Sequence, residues 1–156
     1  VLTRQSKLVI CGLALACLAT SAGAATPGNT ASTEKPPIYT FLIQSGFSKS
    51  AHPEAAVVRG TITVNRNGQN VPTSTVRTLS RQHQPETLNA IQAAIVNGTV
   101  VEECETSKIG SLEVSYSNGK VLTVVIYGAY FEITTSAGTI RFTSEALSKI
   151  LLELLK

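Results

Sequence analysis

The stretch VLTVVIYGAYFEITT, residues 121–135, decides the fold class. It is apolar enough to raise the question of a membrane helix. It is also too rich in β-branched and aromatic residues, and too plainly interrupted at Gly128, to be one. It reads as β structure, either one long strand kinked at Gly128 or two strands meeting there. Upstream, SLEVSY (111–116) alternates Leu112, Val114 and Tyr116 with polar residues, the pattern of a strand with one buried face. Asn118-Gly119 supplies a hairpin turn between the two, because both residues tolerate positive φ.

Downstream, Ser136-Ala137-Gly138 turns the chain into TIRFT (139–143). The remaining SEALSKILLELLK predicts a closing helix capped by Thr143 or Ser144, with Glu145, Lys149 and Glu153 at i,i+4 spacing. Leu147, Ile150, Leu151 and Leu154 form its core stripe. Leu152 and Leu155 widen the apolar surface beyond one face, which makes them a candidate contact surface for self-association or a protein partner.

The first half of the chain runs on similar lines. IYTFLIQSG (38–46) is expected as a strand buried on both faces, with Tyr39, Phe41 and Ile43 on one side and Ile38, Thr40 and Leu42 on the other. VVRGTITV (57–64) alternates as a half-buried strand. Asn67-Gly68 is a hairpin turn, and VPTSTVRTLS (71–80) is the return strand, with Pro72 pushing it toward a sheet edge. QPETLNAIQAAIVNG (84–98) predicts a helix that starts at Pro85, carries Leu88, Ile91 and Ile95 on one stripe and stops at Asn97-Gly98. The same stripe recurs in the closing helix as Leu147, Ile150 and Leu154, so each half echoes a hairpin, a further strand and a helix. The expected fold is therefore α+β: one twisted, mainly antiparallel sheet with two helices packed on one face.

Ahead of this domain the chain carries export features. Arg4 and Lys7 precede an apolar run from Leu8 to Ala19, and Ala22-Gly23-Ala24 fits a small-residue cleavage site. The run is too short to cross a hydrocarbon core in helical form. Residues 1–24 are expected to be a cleaved signal peptide, residues 25–37 a disordered polar spacer, and residues 38–156 a single domain. Cys17 is a candidate for lipidation, although Ala14-Leu15-Ala16 precedes it in the wrong order for the commonest lipoprotein box. Loss of Arg4 and Lys7 brings the thirteen basic and ten acidic side chains close to balance. With export, that argues against a nucleic-acid partner.

Candidate chemistry is sparse. All ten acidic residues are Glu, none in a metal-loop or paired spacing, and no phosphate loop or nucleophile elbow is present. No cofactor or metal is expected. Cys104 with His52 or His83 is the available nucleophile–base combination, but Glu102, Glu103 and Glu105 would disfavour the thiolate. Arg77 and Arg81, just before the first predicted helix, are a candidate anion contact. The expected function is an exported, periplasmic or extracellular, non-enzymatic module that binds or inhibits another protein. The alternatives are a lipid-anchored envelope component, membrane-associated only if Cys17 is lipidated, and a small hydrolase built on Cys104 and a histidine.

Overall fold

The computed structural model describes residues 37–102 and 106–156. The expected signal peptide, residues 25–36 of the expected spacer, and Cys104 lie outside the described residues. In chain order the elements are α1 (Pro37–Gln44), β1 (Pro53–Arg66), β2 (Gln69–Ser80), α2 (Pro85–Val96), β3 (Thr99–Val100), β4 (Lys108–Tyr116), β5 (Val121–Tyr127), β6 (Phe131–Thr135), β7 (Gly138–Thr143) and α3 (Glu145–Leu155). The strands form one seven-stranded sheet in the order β2-β1-β4-β5-β6-β7-β3, with every pairing antiparallel. The fold is α+β with three described helices, one more than the sequence predicts.

The extra helix is the segment expected as a strand. Ile38 and Leu42 stand one helical turn apart, and both are buried, so a 3.6-residue period fits where a period of two was read. A C-terminal cap fixes the end. Gly46 takes φ +81° and donates to the Ile43 carbonyl, and Phe47 N donates to the Leu42 carbonyl. That pair of bonds is a Schellman motif, which needs a residue comfortable at positive φ.

The region around Gly128 resolves as two strands. Tyr127 N donates to Tyr130 O at 2.9 Å, closing a tight turn, and Val124 and Ile126 then pair with Ile133 and Phe131. The Asn67-Gly68 turn has both residues at positive φ (54° and 82°), as a two-residue hairpin loop requires. At Asn118-Gly119 the bonds Tyr116 N to Lys120 O and Gly119 N to Tyr116 O enclose a three-residue loop instead, with Gly119 at φ +78°. The internal echo shrinks accordingly. The first hairpin feeds α2 directly, whereas β6 and β7 stand between the second hairpin and α3, so only the units β2–α2 and β7–α3 correspond.

One core holds the layers together. Val58, Leu112, Val114, Val124, Ile133 and Phe142 from the sheet meet Leu88, Ile91 and Ile95 of α2 and Leu147 and Leu151 of α3. Ser144 caps α3. Its Oγ accepts from Leu147 N and donates to Ala94 O at 2.8 Å, tying the start of α3 to the end of α2. Lys149 pairs with Glu145 at 2.7 Å, while Glu153 pairs with Lys156. The opposite sheet face carries the cross-strand pairs Arg59–Glu113 and Glu132–Arg141. Among the described residues, no helix is long and apolar enough to cross a membrane.

Candidate functional site

The candidate site forms where the sheet forks. β1 runs for 14 residues, but its pairing with β4 covers only Pro53 to Gly60. Beyond Gly60, β1 pairs with β2 alone among the described residues, as a two-stranded arm. The start of β4 stays with β5 instead: Lys108 pairs with Tyr127, and Gly128 N donates to Ser107 O.

Two glycines face each other at the branch, in the pair Gly60–Gly110. A side chain on Gly110 would collide with the Arg59 carbonyl oxygen and come within 3.1 Å of Gly60 Cα. A Cβ on Gly60 would sit 2.7 Å from Leu155 Cδ1. Glycine is required at position 110, where the β1 backbone leaves no room for a Cβ, whereas at Gly60 the contact is the end of the Leu155 side chain, which can shift.

The missing side chains leave room. A groove of about 360 Å³ runs along α3, within the size range of small-ligand sites. Leu151, Leu152 and Leu155 of α3 form one wall, and Ile109, Ile126 and Phe131 form much of the other. Tyr127 and Tyr130 add a stacked ring pair, with centroids 4.7 Å apart and 23° between planes. Toward the start of α3 the lining turns polar, with Thr143, Ser144, Glu145 and Ser148. Glu145 is exposed. Its hydrogen bond and charge pairing with Lys149 hold its carboxyl below the usual carboxylate range.

Leu152 and Leu155 are thus both half-buried and both line the groove. They differ in role, because Leu155 also packs against the core. Arg77 Nε donates to Leu154 O at 3.0 Å, placing its charge at the negative end of the α3 dipole. Arg81 reaches the Pro53 carbonyl at 3.0 Å. The two arginines therefore point to different protein partners. His52 pairs with Glu54 at 2.6 Å in an exposed loop, and His83 lies exposed in the turn before α2. Cys104 and Cys17 are outside the described residues. Among the described residues, no group of three His, Cys, Asp or Glu side chains gathers in metal-binding geometry.

Sequence reasoning missed Gly60, Ile109, Tyr127 and Tyr130. A signal was there: glycines inside two otherwise regular strand patterns mark close backbone approach. Comparison with protein-family models, curated proteins and solved structures finds no match to this chain. The site is therefore read from its own geometry.

Proposed function

We propose that this domain is a non-enzymatic binding module, working after export in the periplasm or outside the cell, and that the groove along α3 receives its partner. The observation that carries this reading is the groove itself. A half-open apolar groove lined by Leu151, Leu152, Ile126, Phe131 and two tyrosines gains free energy when another molecule displaces water from it. Its one carboxylate, Glu145, is exposed and already paired with Lys149, so the lining favours holding a ligand over proton transfer.

The reading is tested with an apolar fluorescent probe, 1-anilinonaphthalene-8-sulfonate, titrated into the purified native protein. Saturable binding at one site, lost in Leu152→Lys with the circular dichroism unchanged, supports it. Weak, non-saturable binding that Leu152→Lys leaves unaltered would remove the groove as the binding site. Leu152 is the better position for this test, because Leu155 also supports the core. The export half of the proposal is tested by intact mass of the native protein. Export with simple cleavage gives a chain starting at Ala25. A chain starting at Cys17 with added diacylglycerol and acyl mass would make the protein lipid-anchored instead.

A further inference from the structure

We propose that the free edge of β1 beyond Gly60 takes up an extended peptide segment of a partner protein as an added strand. The segment would carry acidic residues around an apolar side chain that enters the groove. This rests on the groove being a binding site and specifies what kind of partner it receives.

The register of the arm shows which main-chain groups are available. Arg66 and Gln69 close the two-residue turn, and hydrogen-bonded and non-hydrogen-bonded pairs alternate from there along the hairpin. Thr63 and Pro72 are consequently a non-hydrogen-bonded pair. Pro72 thus lacks its N–H at a place where that group would point out from the free edge of β2, which blunts that edge. No proline protects the other side. There the outward amides and carbonyls belong to Thr61, Thr63 and Asn65, all exposed, and no strand among the described residues pairs with β1 past Gly60. The open edge and the apolar cavity thus meet at Gly60 and share Thr61. That is the combination strand addition uses: main-chain bonds supply affinity and a pocket for alternate side chains supplies selectivity. The available edge fits about five extended residues.

Charge selects among occupants. Arg66 stands at the tip of the open edge and Lys108 at the base of the fork. Both are exposed, and neither forms an ion pair among the described residues. A second copy of the chain laid edge to edge would bring the same cations together, whereas an acidic segment would neutralise them.

The test is selection of a random peptide library displayed on phage against the purified protein, followed by affinity measurement on the winners. Enriched peptides should alternate apolar with other residues and carry Glu or Asp. Thr63→Pro removes one outward amide and no bond within the hairpin, so it should weaken these peptides about tenfold while leaving the anilinonaphthalene sulfonate site intact. If Thr63→Pro fails to fold, N-methylation of alternate peptide amides makes the same deletion from the other side. Absence of enrichment, or equal affinity with and without these amides, overturns the proposal. So does self-association of the parent that Thr63→Pro abolishes, since the occupant is then a second copy. Failure of the underlying reading looks different: Leu152→Lys then changes neither probe nor peptide binding.

Discussion

The two halves of β1 belong to one continuous strand and have different surroundings. From Pro53 to Gly60 the strand is paired on both edges, and Ala56 and Val58 are buried beneath the helices. From Thr61 to Arg66 it has one partner among the described residues, and Ile62 and Val64 are only half-buried. Strand propensity favours the arm: Thr61, Ile62, Thr63 and Val64 are all β-branched, whereas Val57 and Val58 are the β-branched residues of PEAAVVRG (53–60). What separates them is the neighbour across the sheet, and β4 leaves at the glycine pair. The closed half is held by burial and the arm mostly by its own ladder, which makes the arm the less stable part and the one available to a partner.

The largest effect that distinguishes the halves comes from truncating one helix-facing side chain beside the closed half and one in the arm. Leu112 is fully buried opposite Val58, so Leu112→Ala should cost about 2–5 kcal/mol in global unfolding. Ile62→Ala, two pairs further along the same face, should cost under about 1 kcal/mol. Equal costs in chemical denaturation would mean that the arm is packed into the domain after all. The branch point itself is addressed by Gly110→Val. Its side chain has no space against the Arg59 carbonyl and Gly60, so the β1–β4 pairs nearest the fork must separate, at a cost of about 3 kcal/mol. Amide exchange should then rise from Val58 to Gly60. Exchange that stays unchanged there would show that β4 can move aside and that the glycines are not what sets the fork.

A titration also sorts the halves. Tyr116 pairs with Pro53 at the far end of the closed half, and burial pushes its phenol up to about 12 from 10. The folded state therefore keeps its proton where the unfolded chain has lost it. Stability is fully present below about pH 10 and falls as pH rises toward 12, by about 2–3 kcal/mol over that window. Tyr116→Phe should flatten the decline. If the decline persists in that variant, another group is responsible, and the closed half is less tightly sealed around Tyr116 than its 7 % exposure implies.

Much of this architecture could be read from residue patterns, and the reasons differ by element. Alternation in 111–116, the Asn-Gly pairs and the Ser144 cap are local signals whose physics does not depend on the rest of the chain. The segment 38–46 misled because a short apolar run serves a helix or a strand, and only the cap at Gly46 tells them apart. The groove was half legible. Leu152 and Leu155 stood out as surplus on α3, but the opposite wall is assembled from Ile109, Tyr127 and Tyr130, which the β4–β5 pairing and the β5–β6 turn bring together. Arg77 looked like an anion contact because sequence places it near the start of α2. Pairing with Val58 puts it under the end of α3 instead, where Leu154 O takes its guanidinium.

The smallest effects lie at the two Asn-Gly turns, and they compare the halves most directly. Gly119 and Gly68 have nearly the same φ, 78° and 82°, and a Cβ on either meets nothing within 4 Å. The intrinsic strain of placing valine there is therefore similar, on the order of 1 kcal/mol or more, because a β-branched residue resists positive φ. The consequences differ by what each turn supports. Gly119→Val strains the β4–β5 hairpin, which carries Leu112, Val114, Leu122 and Val124 of the core, so the full cost should register in the melting temperature. Gly68→Val strains the tip of the arm, which can fray without disturbing those residues. Its effect on global unfolding should stay below about 0.5 kcal/mol, with faster amide exchange confined to residues 63–72. A global loss as large as that of Gly119→Val would show that arm and core unfold as one unit, and the free edge of β1 would then be a rigid part of the domain.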